Sequence, residues 1–445
     1  MQNLICTLYG WKEKRLRFNS AFFDFLDQLK KSEHWSAEDI SSYKSKKLAK
    51  ILSLAITHTP YYANRYSHLN AAQITSDSLS DFSILMKSDL REHTESLISN
   101  NINKHSLIEV HTSGTTGTAL TLFKEPSLVA RQWAVWFRHR NRFQCAPDEL
   151  HVNFTGKQVV PTEQSKPPYW RFNKPMNQYL LNMQHISPEK IADIVAFLNS
   201  ISPKFYSGYP SIIAEVARLA LAHNLPLKES SRPKFVFSGA ENTLNYQKSA
   251  IEEWTGALVT DQYGLTEGNC NLSRCEYGNY HEDFEFCHIE CADPEYLPDG
   301  RKKGRLIGTA LHNFAMPLIR YDTGDIAIWK PESYECPCGR KSAVIESIEG
   351  RIDDAVILPD GRKIMRFDYL FKDTESIDEA QVCQFKQGEV VIKIVANSKH
   401  DIQVESRLKE DFKEWYCKET IVKIQQVDSI EKSATGKFRA VKSYL

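Results

Sequence analysis

The residues best suited to chemistry begin with a run of hydroxyls and glycines, Thr112-Ser113-Gly114-Thr115-Thr116-Gly117. Hydroxyl groups and bare amides are donors for an anion. Glycine lets the main chain come close and turn consecutive N–H groups toward one phosphate. The spacing is not that of the G-x-x-x-x-G-K-S/T loop of the common NTPases, and alone it is also the composition of an ordinary flexible turn. A second group offers sulfur and imidazole. Cys275 and His281, with Cys336 and Cys338, supply three thiols and one imidazole in two close-spaced pairs. That is the donor inventory of a closed structural zinc site, whose four protein ligands leave no open position. Pro337 and Gly339 fix a tight bend around the second pair, and Cys270 competes with Cys275 for the first position. Cys287 and Cys291 are strand-spaced and read as core residues, as do the scattered Cys6, Cys145, Cys383 and Cys417.

The elements that must position these groups follow from the apolar pattern. Leu107 to Val110 and Leu120 to Phe123 alternate as strands, which makes the glycine-rich stretch a turn between them. Residues 1 to about 100 read as a helical leader, for example Ser42 to His58 with apolar Leu48, Ile51, Leu52 and Leu54, ended by Thr59-Pro60. A helical segment over Ser127 to Phe143 comes next, and residues 144 to 186 read as irregular, an aromatic-rich wall or lid. From residue 187 strands and helices alternate. Lys204-Phe205-Tyr206 leads to a helix opened by Pro210; Lys234 to Phe237 leads to Ser238-Gly239-Ala240-Glu241 and a helix closed by Gly256; Ala257 to Thr260 leads to Asp261-Gln262-Tyr263-Gly264-Leu265-Thr266-Glu267. Such alternation argues a parallel sheet with ligand-binding turns at the carboxyl ends of its strands. Arg305 to Leu311 and Ile326 to Trp329 read as antiparallel strands beside Arg320-Tyr321-Asp322-Thr323-Gly324-Asp325. Beyond Asp353-Asp354, short strands with Asp360-Gly361 and Gln387-Gly388 turns precede a helix at about 402 to 416.

The expected fold is α/β. A large N-terminal domain, 1 to 352, has mixed and parallel sheets with a β-rich subdomain, and a small mobile α+β domain covers 353 to 445. The 445 residues carry 56 Lys+Arg and 56 Asp+Glu, so charge points to neither nucleic acid nor an anionic membrane as partner. No apolar run is long enough to cross a bilayer, and Met1 to Phe18 is not a secretory signal. The ten cysteines are then expected in a reducing cytoplasm.

Five stretches occur in order: Thr112 to Gly117, Tyr263 to Glu267, Tyr321 to Asp325, Gly350-Arg351-Ile352-Asp353 and Thr435-Gly436-Lys437. Together they resemble the adenylate-forming superfamily of acyl-CoA ligases, adenylation domains and luciferases. Within it the chain is most similar to the phenylacetate–CoA ligase family, including its branch linked to capsular polysaccharide synthesis. Thr59-Pro60-Tyr61-Tyr62, Tyr209-Pro210-Ser211 and Cys336-Pro337-Cys338-Gly339-Arg340 carry that narrower resemblance.

The resemblance implies a role for each motif. Thr112, Ser113, Gly114, Thr115, Thr116 and Gly117 would hold the β- and γ-phosphates of ATP, and Glu267, after Thr266, would coordinate Mg2+. Tyr263 and Gly264 would lie against the adenine, with Ser238, Gly239, Ala240 and Glu241 beside it. Asp325 would accept both ribose hydroxyls, and Arg351 would reach the ribose or the α-phosphate. Lys437, carried in on the small domain by a hinge near Asp353, would stabilise the charge built when a carboxylate attacks the α-phosphorus. Some family members also hold zinc on a similar cysteine and histidine pattern.

The implied activity is acid activation as acyl-AMP, with transfer to CoA as one outcome. Transfer to an amine or hydroxyl, such as a sugar, is a second, and a nucleotide-binding protein without catalysis is a third. Asp148 to Gly156, with Lys157, His185, Tyr206 and Tyr209, departs from the aromatic- and glycine-rich acyl pocket of the phenylacetate enzymes and suits a more polar acid.

Overall fold

Local sequence sets the helix boundaries. Asn19 caps helix Ser20–Ser32 by accepting the Phe22 N–H, and Ser36 caps helix Ala37–His58 by accepting the Asp39 N–H. The latter ends at Thr59, where Pro60 follows. The apolar stripe of the first, Phe22, Phe25, Leu26 and Leu29, is buried against Leu128, Val135 and Phe137 of helix Pro126–Arg142. Such burial contributes about 2 kcal/mol for each large side chain. The computed structural model describes residues 2–111, 120–156, 158–161, 163–351, 355–364, 367–371, 376–397, 402–432 and 438–445.

Contacts divide the chain into two compact units. Unit 1 comprises residues 1–149, 172–178 and 260–348. Its strands Ile108–His111 and Thr121–Lys124 pair antiparallel, His111 opposite Thr121 and Ile108 opposite Lys124. Both strands are as expected, and residues 112–119 between them lie outside the described residues. The other strands of this unit run in the order Cys287–Tyr296, Lys302–Ala310, Tyr321–Trp329, Val344–Arg351, Tyr280–Glu282, Asn271–Arg274 and Leu258–Gly264. Antiparallel registers fix the neighbours, Tyr280 opposite both Arg274 and Ile345.

Unit 2 comprises residues 150–171, 179–259 and 349–445. Strands His151–Thr155, Phe205–Gly208 and Phe235–Gly239 are parallel, joined in register through Val152, Tyr206 and Val236. Helix Pro210–Ala222 links the second of these strands to the third, and helix Asn245–Thr255 comes after the third, as the alternation predicts. Gly256 closes the second helix at φ +69°. Val152, Phe154, Ile212, Val216, Val236 and Ile251 meet in the core of this unit.

The stretch read as irregular differs from expectation. Residues 151–155, 170–173 and 178–182 are strands of that sheet, and the side chains of Val152, Phe154 and Leu181 are fully buried. The prolines and polar residues between them hide three short pairings whose stability comes from neighbours distant in sequence. The C-terminal part of unit 2 is a four-stranded sheet in the order Ile421–Gln426, Glu389–Ala396, Ile377–Lys386, Val441–Ser443. Helix Ile402–Trp415 covers it with Leu408 and Phe412. This α+β texture, with Gly361 and Gly388 at positive φ in its turns, is as the sequence predicts. Among the described residues no helix is long and apolar enough to cross a membrane.

Candidate functional site

Two motifs headed by tyrosine interlock in unit 1. Strand Leu258–Gly264 delivers Tyr263, and the turn after it carries Glu267, with Gly268 at φ +73°. A Cβ at Gly264 would lie 2.7 Å from the Asn271 side-chain oxygen, which the Trp136 N–H holds at 3.0 Å, so a larger residue would displace that pair. On strand Tyr321–Trp329 the register against Lys302–Ala310 shifts between Arg305 and Ile307, which leaves Thr323, Gly324 and Asp325 in a bulge. The bulge is held by Gly324 N–H to Asp322 Oδ1 at 2.9 Å and by Asp325 N–H to Thr323 Oγ1 at 3.1 Å. It aims the Asp325 carboxylate at Tyr263, whose hydroxyl donates to Oδ2 across 2.6 Å. Tyr321 in turn donates to Glu267 Oε1 at 3.3 Å. The first tyrosine of each motif therefore holds the last acid of the other. Burial, followed by the Asp325 charge, pushes the Tyr263 phenol well above its ordinary pKa and keeps it a donor. Both acids are buried, while Thr266 is exposed.

Lys124 ends the outgoing strand of the hairpin and is 4% exposed. Its Nζ lies 3.5 Å from where a Cβ on Gly268 would stand, which sets the ammonium against the Glu267-Gly268 turn. Burial pushes it down to about 8, opposed by the Glu267 carboxylate. Nothing in the sequence distinguishes it from a surface lysine.

In unit 2 the turn Ser238 to Glu241 closes strand Phe235–Gly239. Ser238 and Thr243 share a hydrogen bond of 2.7 Å, and Ala240 holds φ +67°, a strained value for a residue with a Cβ. Glu241 is half-buried, and desolvation raises its carboxyl to about 7; Oε2 accepts the Ser211 N–H at 3.3 Å. Its Oε1 accepts the backbone N–H of Phe438 at 2.5 Å. Phe438 follows Lys437 directly, so the structure brings the neighbour of that lysine to this turn. Leu244, Ile430 and Phe438 pack together beside it, and Lys432 pairs with Glu215 at 2.5 Å and Glu379 at 3.4 Å. Thr112 to Gly117, Lys157, Asp353 and Thr435 to Lys437 lie outside the described residues, as does the side chain of Arg351. Of the residues read as edging an acyl pocket, Tyr206 and His185 are interior. Tyr206 packs edge-on to Phe154, and His185 stacks on Tyr169 and shares a hydrogen bond with Asn182.

The thiols and imidazole form a third cluster, in unit 1. Cys275 begins the turn between strands Asn271–Arg274 and Tyr280–Glu282, and His281 lies in the second strand. His281 pairs with Val344, so the Cys336 to Cys338 turn preceding strand Val344–Arg351 is brought to the same edge. All four donor atoms lie within 4.8 Å of one another. Cys275 and Cys336 sulfurs are 3.8 Å apart, and Cys338 sulfur is 3.3 Å from His281 Nε2. With zinc–sulfur bonds of about 2.3 Å, a tetrahedron has a sulfur–sulfur edge of about 3.8 Å. Burial, then Arg142 and Arg340, lowers His281 to about 4, so its ring is neutral and able to ligate at neutral pH. Cys270 instead lies in the core with Cys287, and no disulfide joins any of the ten cysteines.

Sequence reading missed the ion network behind this cluster. Arg340, two residues past Cys338, bonds Glu33 at 2.5 Å and Glu276 at 2.9 Å. Glu33 also takes Arg142 at 2.7 Å, and the buried Arg138 reaches Asp283 and Glu285. These partners lie 64 to 307 residues apart, so no local spacing could have paired them.

Comparison with known proteins adds relatives. Residues 356–444 match the CapK C-terminal domain family. Protein CapK of Staphylococcus aureus is 23% identical over 358 residues, 79% of this chain and 76% of that protein. A phenylacetate-coenzyme A ligase of Thermus thermophilus is 32% identical over 176 residues, 37% of this chain and 38% of that protein. Among solved structures, 2-hydroxyisobutyryl-CoA ligase in the postadenylation state, in complex with R3-HIB-AMP, matches with a TM-score of 0.71. It does so at 18% identity over 93% of this chain and 91% of that one. An anthranilate CoA ligase in complex with anthranoyl-AMP matches with a TM-score of 0.52 at 14% identity, over 77% of this chain and 67% of that one. At such identities the structural likeness establishes the fold.

Proposed function

We propose that this chain, a relative of CapK and of the phenylacetate–CoA ligases with the fold of adenylate-forming ligases, activates a carboxylic acid with ATP. An oxygen of the acid attacks the α-phosphorus, the bond to the β-phosphate oxygen breaks, and pyrophosphate leaves an acyl-AMP. A CoA thiol then attacks the acyl carbon and releases AMP. The observation that carries this reading is the reciprocal pairing of Tyr263 with Asp325 and of Tyr321 with Glu267. These bonds tie together two signatures some sixty residues apart, which supports a shared nucleotide site.

In this reading Asp325 takes the ribose hydroxyls and Tyr263 and Gly264 face the adenine; the resemblance assigns Ser238 to Glu241 to the nucleotide as well. The Thr112 to Gly117 turn takes the outer phosphates, and Arg351 the ribose or α-phosphate. Glu267 holds Mg2+, which supplies charge neutralisation on the phosphates. Lys437 stabilises the charge developing at the α-phosphoryl group, and the segment near Asp353 is the hinge of a C-terminal domain beginning at residue 353. Cys275, His281, Cys336 and Cys338 hold a structural zinc ion, because four protein donors at tetrahedral spacing leave no place for a reacting group. The reading places the protein in the cytoplasm, on the expectation that its ten cysteines stay reduced.

A second acceptor class has its own support. The likeness to CapK spans most of the chain, and the motifs resemble a branch linked to capsular polysaccharide synthesis. Transfer from acyl-AMP to an amine or hydroxyl, such as a sugar, fits that likeness. The test is acid-dependent ATP–pyrophosphate exchange over a panel of carboxylic acids with Mg2+, followed by a search for a thioester once CoA is added. Exchange lost in Lys437→Ala while ATP still binds is the expected result. A failure of every acid in the panel to support exchange would reduce the protein to a nucleotide binder.

A further inference from the structure

We infer that Lys124 is the cation that holds the terminal phosphoryl oxyanions of the nucleotide, a role resting on the function proposed above. Its place in the fold is fixed. It ends strand Thr121–Lys124, directly before helix Pro126–Arg142, and is 4% exposed. Its ammonium stands over the Glu267-Gly268 turn, 3.5 Å from the would-be Cβ of Gly268.

Three explanations compete for a buried lysine. It could be the partner of an internal carboxylate, a snorkelling chain with a solvated head, or a group kept for a ligand. Among the described residues none offers it a hydrogen bond or a carboxylate oxygen within 4.0 Å, and Glu267 is the one charge that acts on it from further away. The first explanation therefore fails on distance. The second leaves the head little water, since only 4% of the residue is exposed. An ammonium with little water, acted on by one carboxylate beyond hydrogen-bond reach, keeps its donors for an oxyanion that both groups can share. The lysine binds it directly, and the carboxylate does so through the divalent cation that accompanies polyphosphate. Lysine is suited to this as a compact point charge with three donors. An acyl carboxylate is the other anion in the reaction, but it does not travel with the divalent cation beside Glu267. The polyphosphate end is therefore the favoured occupant.

The consequence distinguishes nucleotides by their phosphates. Isothermal titration of the full chain with Mg·ATP, Mg·pyrophosphate and AMP is compared for wild type, Lys124→Met and Lys124→Arg. In Lys124→Met, ATP and pyrophosphate should weaken about 10- to 100-fold and AMP by less than about twofold, with Lys124→Arg intermediate. Unchanged ATP affinity in Lys124→Met, or an equal loss for AMP, overturns the assignment. So does a shift confined to the KM of the acid in the exchange assay. Wild-type protein that binds none of the three would instead sink the underlying function. A measurement on the unaltered chain guards against a misfolded variant. Mg·ATP should lower reductive methylation of the Lys124 amine below that of the nucleotide-free chain, read by peptide mass, and AMP should not; labelling of the free chain that Mg·ATP leaves undiminished overturns the role.

Discussion

The Tyr263 hydroxyl donates to Asp325 Oδ2 across 2.6 Å, and this bond ties the end of one strand to the bulge of another. It occupies one lone pair of a carboxylate that has several. If Asp325 takes the ribose hydroxyls, Asp325→Ala should weaken ATP and AMP alike, by about 10- to 100-fold. Tyr263→Phe keeps the ring and removes only the bond, so the loss should be near tenfold or less. Titration calorimetry reads both. Undiminished affinity in Asp325→Ala would remove the ribose role.

The sulfur–imidazole cluster makes a prediction independent of catalysis. Protein from zinc-supplemented medium should carry one equivalent of zinc by elemental analysis, and Cys336→Ser should lose it. The midpoint of thermal unfolding should drop by roughly 5–10 °C, since bound metal is folding energy. A wild-type chain that holds no zinc under those conditions leaves four reduced thiol and imidazole groups and no metal site.

Glu33 governs the acid limb of stability. Burial alone would raise its carboxyl, but Arg142, Arg138 and Arg340 outweigh that and bring it from 4.5 to about 2. A depressed carboxyl stabilises the fold above its unfolded pKa, and the contribution disappears as pH falls from about 5 toward 2. The shift corresponds to on the order of 3 kcal/mol. Glu33→Gln should therefore lower the urea midpoint at pH 7 and flatten its decline between pH 5 and 2. A variant whose acid limb matches wild type would show that the cluster does not couple to folding.

Much of this was legible in the sequence because it was written locally. Thr59-Pro60 ended a helix where the dihedral restriction of proline requires it, and strands Ile108–His111 and Thr121–Lys124 followed their alternation. Cys275, His281, Cys336 and Cys338 were chosen by donor chemistry, and strand pairing brought them together. What stayed hidden depends on residues far apart. Lys124 has the type of a surface residue, and only tertiary burial gives it another meaning. Glu33 and Arg340 are likewise ordinary charges until the fold buries them together. Strands 151–155, 170–173 and 178–182 pair in a sheet whose other members lie elsewhere in the chain, so their own pattern was too brief to declare them.

The hydrogen bond from Phe438 to Glu241 comes from the main chain. Every amino acid but proline would supply the same donor, so drift at position 438 can alter the ring that packs beside Leu244 without touching the anchor next to Lys437. The packing at this position can thus change while the main-chain bond persists, and the side-chain half of that bond, the acceptor at Glu241, is the half on which selection can act.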